Sequence, residues 1–137
     1  MLAASPLRYP DNVIVGSGVD LCEVPRIENA IARHGQRFIE RIFTEREIAY
    51  AESKANRHER YAARFAAKEA GMKALGTGWH GGVRWRDFEV ANLSSGRPTL
   101  RFHGKAAEIA EQLGVRSVAL SLTHTAAQAL AMVILES

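Results

Sequence analysis

Glu69 and Lys73 lie four residues apart in the stretch Arg64 to Gly78, and Arg64 and Lys68 repeat the spacing. Residues four apart stand one turn from each other on the same face of a helix. A carboxylate among three cations, running into the glycine loop Gly76-Thr-Gly78, suits a metal-bound, phosphate-rich ligand. The same spacing also builds an ordinary solvated helix, where each Glu–Lys pair stabilises by about 0.2–0.5 kcal/mol.

A second carboxylate lies near the start. Val13, Val15, Val19 and Leu21 alternate with other residues in a run rich in β-branched side chains, which predicts a strand. Gly16 and Gly18 interrupt it and predict a bulge or a close backbone approach by another element. Asp20 then falls among apolar neighbours on a strand expected to be largely buried, where a charge needs a partner. One solution is a turn it caps or a buried arginine. The other is a cation shared with Glu69. Mg2+ keeps several waters and takes one or two carboxylates plus substrate phosphates, so Asp20 and Glu69 form a candidate metal site.

The elements that must hold these residues are legible in outline. Pro25 opens a helix running toward His34, with Gly35 as its stop. Phe38, Ile39 and Ile42 predict a short second helix, and Thr44 with Glu47 makes a capping box for a third. The charged helix is expected to start near Arg57 to Arg60 and to end at Gly76. Val83 to Ala91 reads as a strand, Ser94 to Arg97 as a turn, and Thr99 to Phe102 as the return strand. Ala106 to Leu113 is a helix closed by Gly114. Ser117 to Leu122 and Ala129 to Leu135 can pair as a hairpin around His124. Helices in the middle and strands elsewhere make the class α+β, with antiparallel strands packed against helices. Residues 1–12 read as an N-terminal extension and 13–137 as a single domain.

Composition narrows the classes further. The chain has 137 residues, 47% of them hydrophobic, and a net charge of +3, a mild excess that suits an acidic partner. No apolar run reaches the roughly 20 residues of a membrane span, and the opening Met-Leu-Ala-Ala-Ser-Pro lacks the features of a signal peptide. A single cysteine, Cys22, excludes an internal disulfide and reads as a small buried apolar residue. A cytoplasmic setting fits. His34, His58, His80 and His103 show no zinc-ligand spacing, and Trp79 and Trp85 read as packing or interface residues.

Four motifs in order resemble those of the small bacterial 4'-phosphopantetheinyl transferases, the holo-acyl-carrier-protein synthase family. They are Gly16-Ser-Gly-Val-Asp20 followed by Glu23 and Arg26, then Phe43-Thr-Glu-Arg-Glu47. The third is Arg64-Phe-Ala-Ala-Lys-Glu-Ala70 with Lys73 and Gly76-Thr-Gly78, and the fourth is Ser121-Leu-Thr-His-Thr125. The resemblance spans about Val13 to Glu136. It implies transfer of the 4'-phosphopantetheine arm of coenzyme A to a serine of apo-acyl carrier protein, with Mg2+ as cofactor, in support of fatty acid biosynthesis.

The resemblance also implies roles. Asp20 and Glu69 would be the catalytic metal ligands and Lys73 the lysine on the pyrophosphate. Arg64, His124 and Thr125 would lie at the adenosine 3'-phosphate end, with Gly76, Thr77 and Gly78 against the nucleotide. Arg26 would dock the acidic carrier protein. The family is a homotrimer with sites at its interfaces, so His124 is expected from a neighbouring subunit. Neither nucleic acid nor membrane is an implied partner. Ser17 and Cys22 are unusual choices for the family, though neither removes a ligand. Ala55 and Asn56 replace basic residues of some relatives, which shifts the expected phosphate contacts toward Arg57, His58 and Arg60.

In such a reaction, Glu69 or a metal-held water near Asp20 is the candidate acceptor of the serine proton. Two rival readings remain. A small basic nucleic-acid-binding module would use the arginine-rich helices on phosphates. A non-catalytic coenzyme A-binding subunit would keep the ligand without the chemistry.

Overall fold

A computed structural model describes residues 13–78 and 80–137. The proposed extension, residues 1–12, and Trp79 lie outside the described residues. Strand β1 (Ile14–Glu23) leads directly into α1 (Val24–His34), with Pro25 in its first turn and Gly35 at its end, as the sequence indicates. Two short helices follow, α2 (Gln36–Ile42) and α3 (Glu45–Glu52). The Thr44–Glu47 capping box is formed in full: the Thr44 hydroxyl accepts from the Glu47 amide, and the Glu47 carboxylate accepts from the Thr44 amide. The long helix α4 (Arg57–Leu75) ends at Gly76, whose φ of 76° is the left-handed stop that a glycine provides without strain.

The second half alternates strands and one helix: β2 (Phe88–Asn92), β3 (Pro98–Phe102), α5 (Gly104–Gln112), β4 (Ser117–His124) and β5 (Gln128–Glu136). β2 and β3 form an antiparallel hairpin. β1, β5 and β4 form an antiparallel sheet in that order, with β5 in the centre and the β4–β5 hairpin turning just after His124. The class is α+β, as expected. The strand expected over Val83 to Ala91 starts only at Phe88, because Trp85–Asp87 makes a short 3-10 turn. The Asp87 carboxylate accepts the Arg84 amide there, so this segment satisfies its backbone locally rather than in the ladder.

α4 is the centre of the molecule and packs against β1 and β5. Its alanines (Ala62, Ala63, Ala66, Ala67, Ala70 and Ala74) are all buried, joined by Tyr61, Phe65, Met72 and Leu75. Arg64 and Lys68 are buried with them, so a solvated helix surface does not describe this element. Lys68 donates to Glu47 Oε1 at 2.6 Å and to the carbonyl oxygens of Trp85 and Phe88. The other Glu47 oxygen accepts from the Val90 amide at 2.9 Å. This buried pair ties α4 to α3 and β2, with its polar atoms hydrogen-bonded as a buried charge requires.

The sheet is two-faced in a way the alternation does not reveal. Ala129, Ala131, Val133 and Leu135 of β5 point at α4 and are fully buried. On β1 the residues toward α4 are Gly16, Gly18, Asp20 and Cys22. The bulky Val19 and Leu21 face away, 55% and 52% exposed, beside the exposed Leu130 and Met132. The expectation that β1 is largely buried is therefore corrected. Its inward face must be small to admit a helix backbone, and the apolar bulk goes to the outer face.

Candidate functional site

The two glycines set the position of Asp20. A Cβ added to Gly16 would lie 2.0 Å from the Ala74 carbonyl oxygen, and one on Gly18 would lie 2.0 Å from that of Ala70. The close backbone approach anticipated at these glycines is thus made by α4 itself. Two residues further along β1, Asp20 meets the same helix. Lys73 Nζ donates to Asp20 Oδ1 at 3.1 Å and to the Val19 carbonyl oxygen at 3.0 Å. The Asp20 side chain is only 11% exposed, whereas Lys73 is half open to solvent.

Glu69 joins them from one turn earlier on α4. Its carboxyl is within hydrogen-bonding reach of Asp20. Burial pushes it above the usual carboxylate range, and the neighbouring Asp20 charge pushes it further. Arg26 and Lys73 pull it partly back. Two carboxyls that crowd each other in this way are relieved by a shared cation. Their hard oxygen donors suit Mg2+, whose remaining positions go to water and phosphate oxygens. Among the described residues no cluster of three or more His, Cys, Asp or Glu forms a fuller metal cage. The donor set present therefore fits Mg2+ better than a structural metal.

The second cation here is Arg26 of α1, not Lys68. Arg26 is exposed, places its guanidinium 5.5 Å from the centre of the Phe65 ring, and borders a groove with Arg33 and His34. Cys22 lies buried beneath, and burial raises its thiol to about 11, which fits a packing residue rather than a nucleophile. Trp85 stacks on Phe65 with ring centres 4.8 Å apart, the packing role expected of it.

Arg64 and His124 come together elsewhere. They share a cavity of about 200 Å³ with Tyr50, Arg60, Asn92 and Leu122. Arg64 is 4% exposed, its guanidinium lies 3.8 Å from the centre of the Tyr50 ring, and its Nε has no hydrogen-bond partner among the described residues. Burial pulls Arg64 below its ordinary value, an effect that Tyr50 and Glu47 oppose. Arg60 donates to Tyr50 Oη at 3.3 Å and to Asn56 Oδ1 at 3.1 Å. Of the three basic residues expected to replace missing phosphate contacts, Arg60 reaches this cavity. Arg57 is instead paired with Glu52 at 2.8 Å. An arginine with a spare donor, beside a second arginine and a histidine, makes an anion site.

The remaining expected residues flank these two clusters. Gly76 and Gly78 both take positive φ, and the Thr77 hydroxyl donates to the Gly78 carbonyl oxygen at 3.2 Å. The Thr125 hydroxyl oxygen accepts from the amides of Ala127 and Gln128, both at 3.1 Å, so it builds the turn that presents His124. Tyr50 carries no sequence signal that points to this cavity, since its partners Arg60 and Arg64 lie on the next helix.

Within one chain, then, Asp20, Glu69, Lys73 and Arg26 form one cluster, while Arg64, His124, Arg60 and Tyr50 form another. The first can hold a cation and a pyrophosphate, and the second a phosphate monoester. Comparison with known proteins points the same way. The family model of the 4'-phosphopantetheinyl transferase superfamily matches residues 16–131. A holo-[acyl-carrier-protein] synthase of Solibacter usitatus is 67% identical over 125 residues, covering 91% of this chain and all of that one. The crystal structure of the Neisseria meningitidis holo-[acyl-carrier-protein] synthase superposes with a TM-score of 0.84 at 32% identity, over 91% of this chain and all of that one. The Bacillus anthracis synthase, in complex with CoA (3',5'-ADP), gives 0.74 at 39% identity, over 90% of this chain and 97% of that one.

Proposed function

We infer the function from one premise: the chain belongs to the 4'-phosphopantetheinyl transferase superfamily and is an enzyme of that group. Its reaction moves the 4'-phosphopantetheine group of coenzyme A to a serine hydroxyl of apo-acyl carrier protein. The observation that carries this reading is the meeting of Asp20 and Glu69 beside Lys73, on one face of α4.

The serine oxygen attacks the pyrophosphate phosphorus nearer to pantetheine. A P–O bond forms there, the bond to the bridging oxygen breaks, and adenosine 3',5'-bisphosphate leaves. Asp20 and Glu69 would hold Mg2+, which would supply Lewis-acid offset of the charge on the pyrophosphate. Lys73, solvent-facing yet anchored on Asp20 and the Val19 carbonyl, places its ammonium where charge develops on the leaving oxygens. Glu69, or a water held near Asp20, accepts the serine proton. Arg26, at the lip of the same cluster, binds acidic groups of the docking carrier, and Arg33 extends that basic strip along α1.

Arg64, Arg60 and His124 take the 3'-phosphate of coenzyme A, with Thr125 shaping the turn and Gly76 to Gly78 lying against the nucleotide. The two clusters are joined by assembly into a homotrimer, in which the first cluster of one subunit faces the second cluster of its neighbour. The exposed apolar side chains Val19, Leu21, Leu130 and Met132 support that reading, because a patch of this kind on one sheet face suits burial against another chain. No helix among the described residues is long and apolar enough to cross a membrane. Residues 13–137 act as one domain. A role in fatty acid biosynthesis and a cytoplasmic setting, where Cys22 stays reduced, belong to the same proposal.

Intact-mass measurement tests it. Apo-acyl carrier protein mixed with this protein, coenzyme A and Mg2+ is expected to gain roughly 340 Da, the mass of the transferred arm, and to gain nothing when a chelator is present from the start. Coenzyme A binding without any gain in mass would leave a binding protein, and no binding at all would sink the reading.

A further inference from the structure

His124, the last residue of β4, places Nδ1 3.0 Å from Glu59 Oε1. Glu59 lies in the first turn of α4, next to Arg60 and five residues before Arg64, and through His124 it touches a residue that lines the Arg64 cavity. The two side chains are only 23% and 21% exposed, so packing as well as the hydrogen bond holds this pair. Lys54, Arg60 and Arg64 surround the Tyr50 ring at 5.3, 6.0 and 3.8 Å, and Glu59 is an acidic group in direct contact with the histidine.

We propose that Glu59 is the positioning residue for His124, turning that ring into a donor for the 3'-phosphate of coenzyme A. The inference rests on the reading of this cavity as the 3'-phosphate end. It follows from counting donors and acceptors. A neutral imidazole has one N–H and one lone pair. If Nδ1–H donates to Glu59, a neutral ring turns a lone pair toward the cavity and repels a phosphate. Only the doubly protonated ring satisfies a carboxylate on one side and a phosphate on the other. Glu59 thereby supplies two things: the ring orientation, and an acceptor for one N–H that leaves the other side of the ring to face the phosphate. Glu59 itself touches no ligand.

The test compares coenzyme A with 3'-dephospho-coenzyme A as co-substrates in the transfer assay. Wild type is expected to show a clearly lower KM for coenzyme A. Glu59→Ala is expected to raise that KM about tenfold, with kcat changed less than about twofold, the scale of losing one hydrogen bond to a charged group. KM for the dephospho compound should not move. Glu59→Gln, which keeps the shape and an acceptor but loses the charge, should fall between. Because Glu59 acts through His124, Glu59→Ala combined with His124→Ala should be no worse than His124→Ala alone. Equal losses with both co-substrates, or full additivity with His124→Ala, would overturn the proposal. A wild type that does not distinguish the two co-substrates would instead remove the 3'-phosphate reading on which it rests.

Discussion

Gly18 and Ala70 are in backbone contact: a Cβ on Gly18 would stand 2.0 Å from the Ala70 carbonyl oxygen, far inside any allowed separation. Gly16 and Ala74 repeat the relationship one helical turn along. β1 and α4 therefore dock backbone to backbone, without an intervening layer of side chains. That closeness lets the short side chain of Asp20 reach Lys73 and Glu69. The glycines are thus part of the site's construction, though neither carries any chemistry.

Gly18→Ala is expected to destabilise the protein by about 2–3 kcal/mol, since either the helix or the strand must move to admit the methyl group. The same displacement separates Asp20 from Glu69, so transfer activity should fall in the fraction that remains folded. Urea unfolding measures the first effect. A change below about 0.5 kcal/mol would show that the two backbones are not in contact.

The buried Lys68–Glu47 pair gives a second expectation. Lys68→Met leaves the Glu47 carboxylate without its counter-charge in a fully buried position, which costs about 3–5 kcal/mol. The double variant Lys68→Met with Glu47→Gln should recover part of that loss, because the amide removes the buried charge and keeps an acceptor for one of the two amides, Thr44 or Val90, that Glu47 serves with separate oxygens. A loss under about 1 kcal/mol for Lys68→Met would mean that water reaches the pair and screens it.

What the sequence disclosed and withheld follows the range of the interactions. The Thr44–Glu47 capping box, the Pro25 and Gly35 bounds of α1 and the Gly76 stop of α4 were legible because each is decided within a few residues. The pairing of β4 with β5 was legible for the same reason. Lys68 was not. Its helix spacing suggests a companion for Arg64 at a charged surface, and only the fold brings Glu47 to it from 21 residues away. The apolar alternation of β1 identifies a strand but not that its bulky side chains lie open, because a pattern cannot say that a helix backbone needs the glycine side. Asp20 and Glu69 were chosen by residue type and by resemblance, and their contact depends on two glycines whose partners are 52 or more residues away in sequence. The Glu59–His124 pair, 65 residues apart, has no local signal at all.

Glu69 makes a pH-dependent prediction with a definite sign. Its folded carboxyl binds protons more tightly than an unfolded one, so the folded state holds the extra proton between the usual carboxylate range and the raised value. Stability contributed by the protonated group is present at low pH and lost as pH rises through that window. In chelator at pH 7, Glu69→Gln should therefore melt a few degrees higher than wild type, and the difference should vanish below about pH 4. Added Mg2+ should raise the wild-type melting temperature and leave Glu69→Gln almost unmoved. A variant less stable than wild type in chelator, or equally stabilised by Mg2+, would contradict the two-carboxylate site.

The outer sheet face tests the shared site. Val19 pairs with Met132 and Leu21 with Leu130 across β1 and β5, so four exposed apolar side chains form one continuous patch. One strand under that patch, β1, also carries Asp20, while β4, on the other side of β5, ends at His124. A charge in the patch would be desolvated by any partner chain, so Met132→Glu should give a folded monomer in sedimentation experiments. If the first cluster of one subunit faces the second cluster of the next, that monomer loses transfer even though every proposed site residue is intact. Mixing supplies the decisive control. Asp20→Ala and His124→Ala, each defective alone at limiting coenzyme A, should regain part of the activity when unfolded together and refolded. Under the shared-site proposal, mixed trimers would contain interfaces with one intact cluster from each partner. Absence of any recovery, with mixed trimers confirmed by mass, would place both clusters of a working site on one chain.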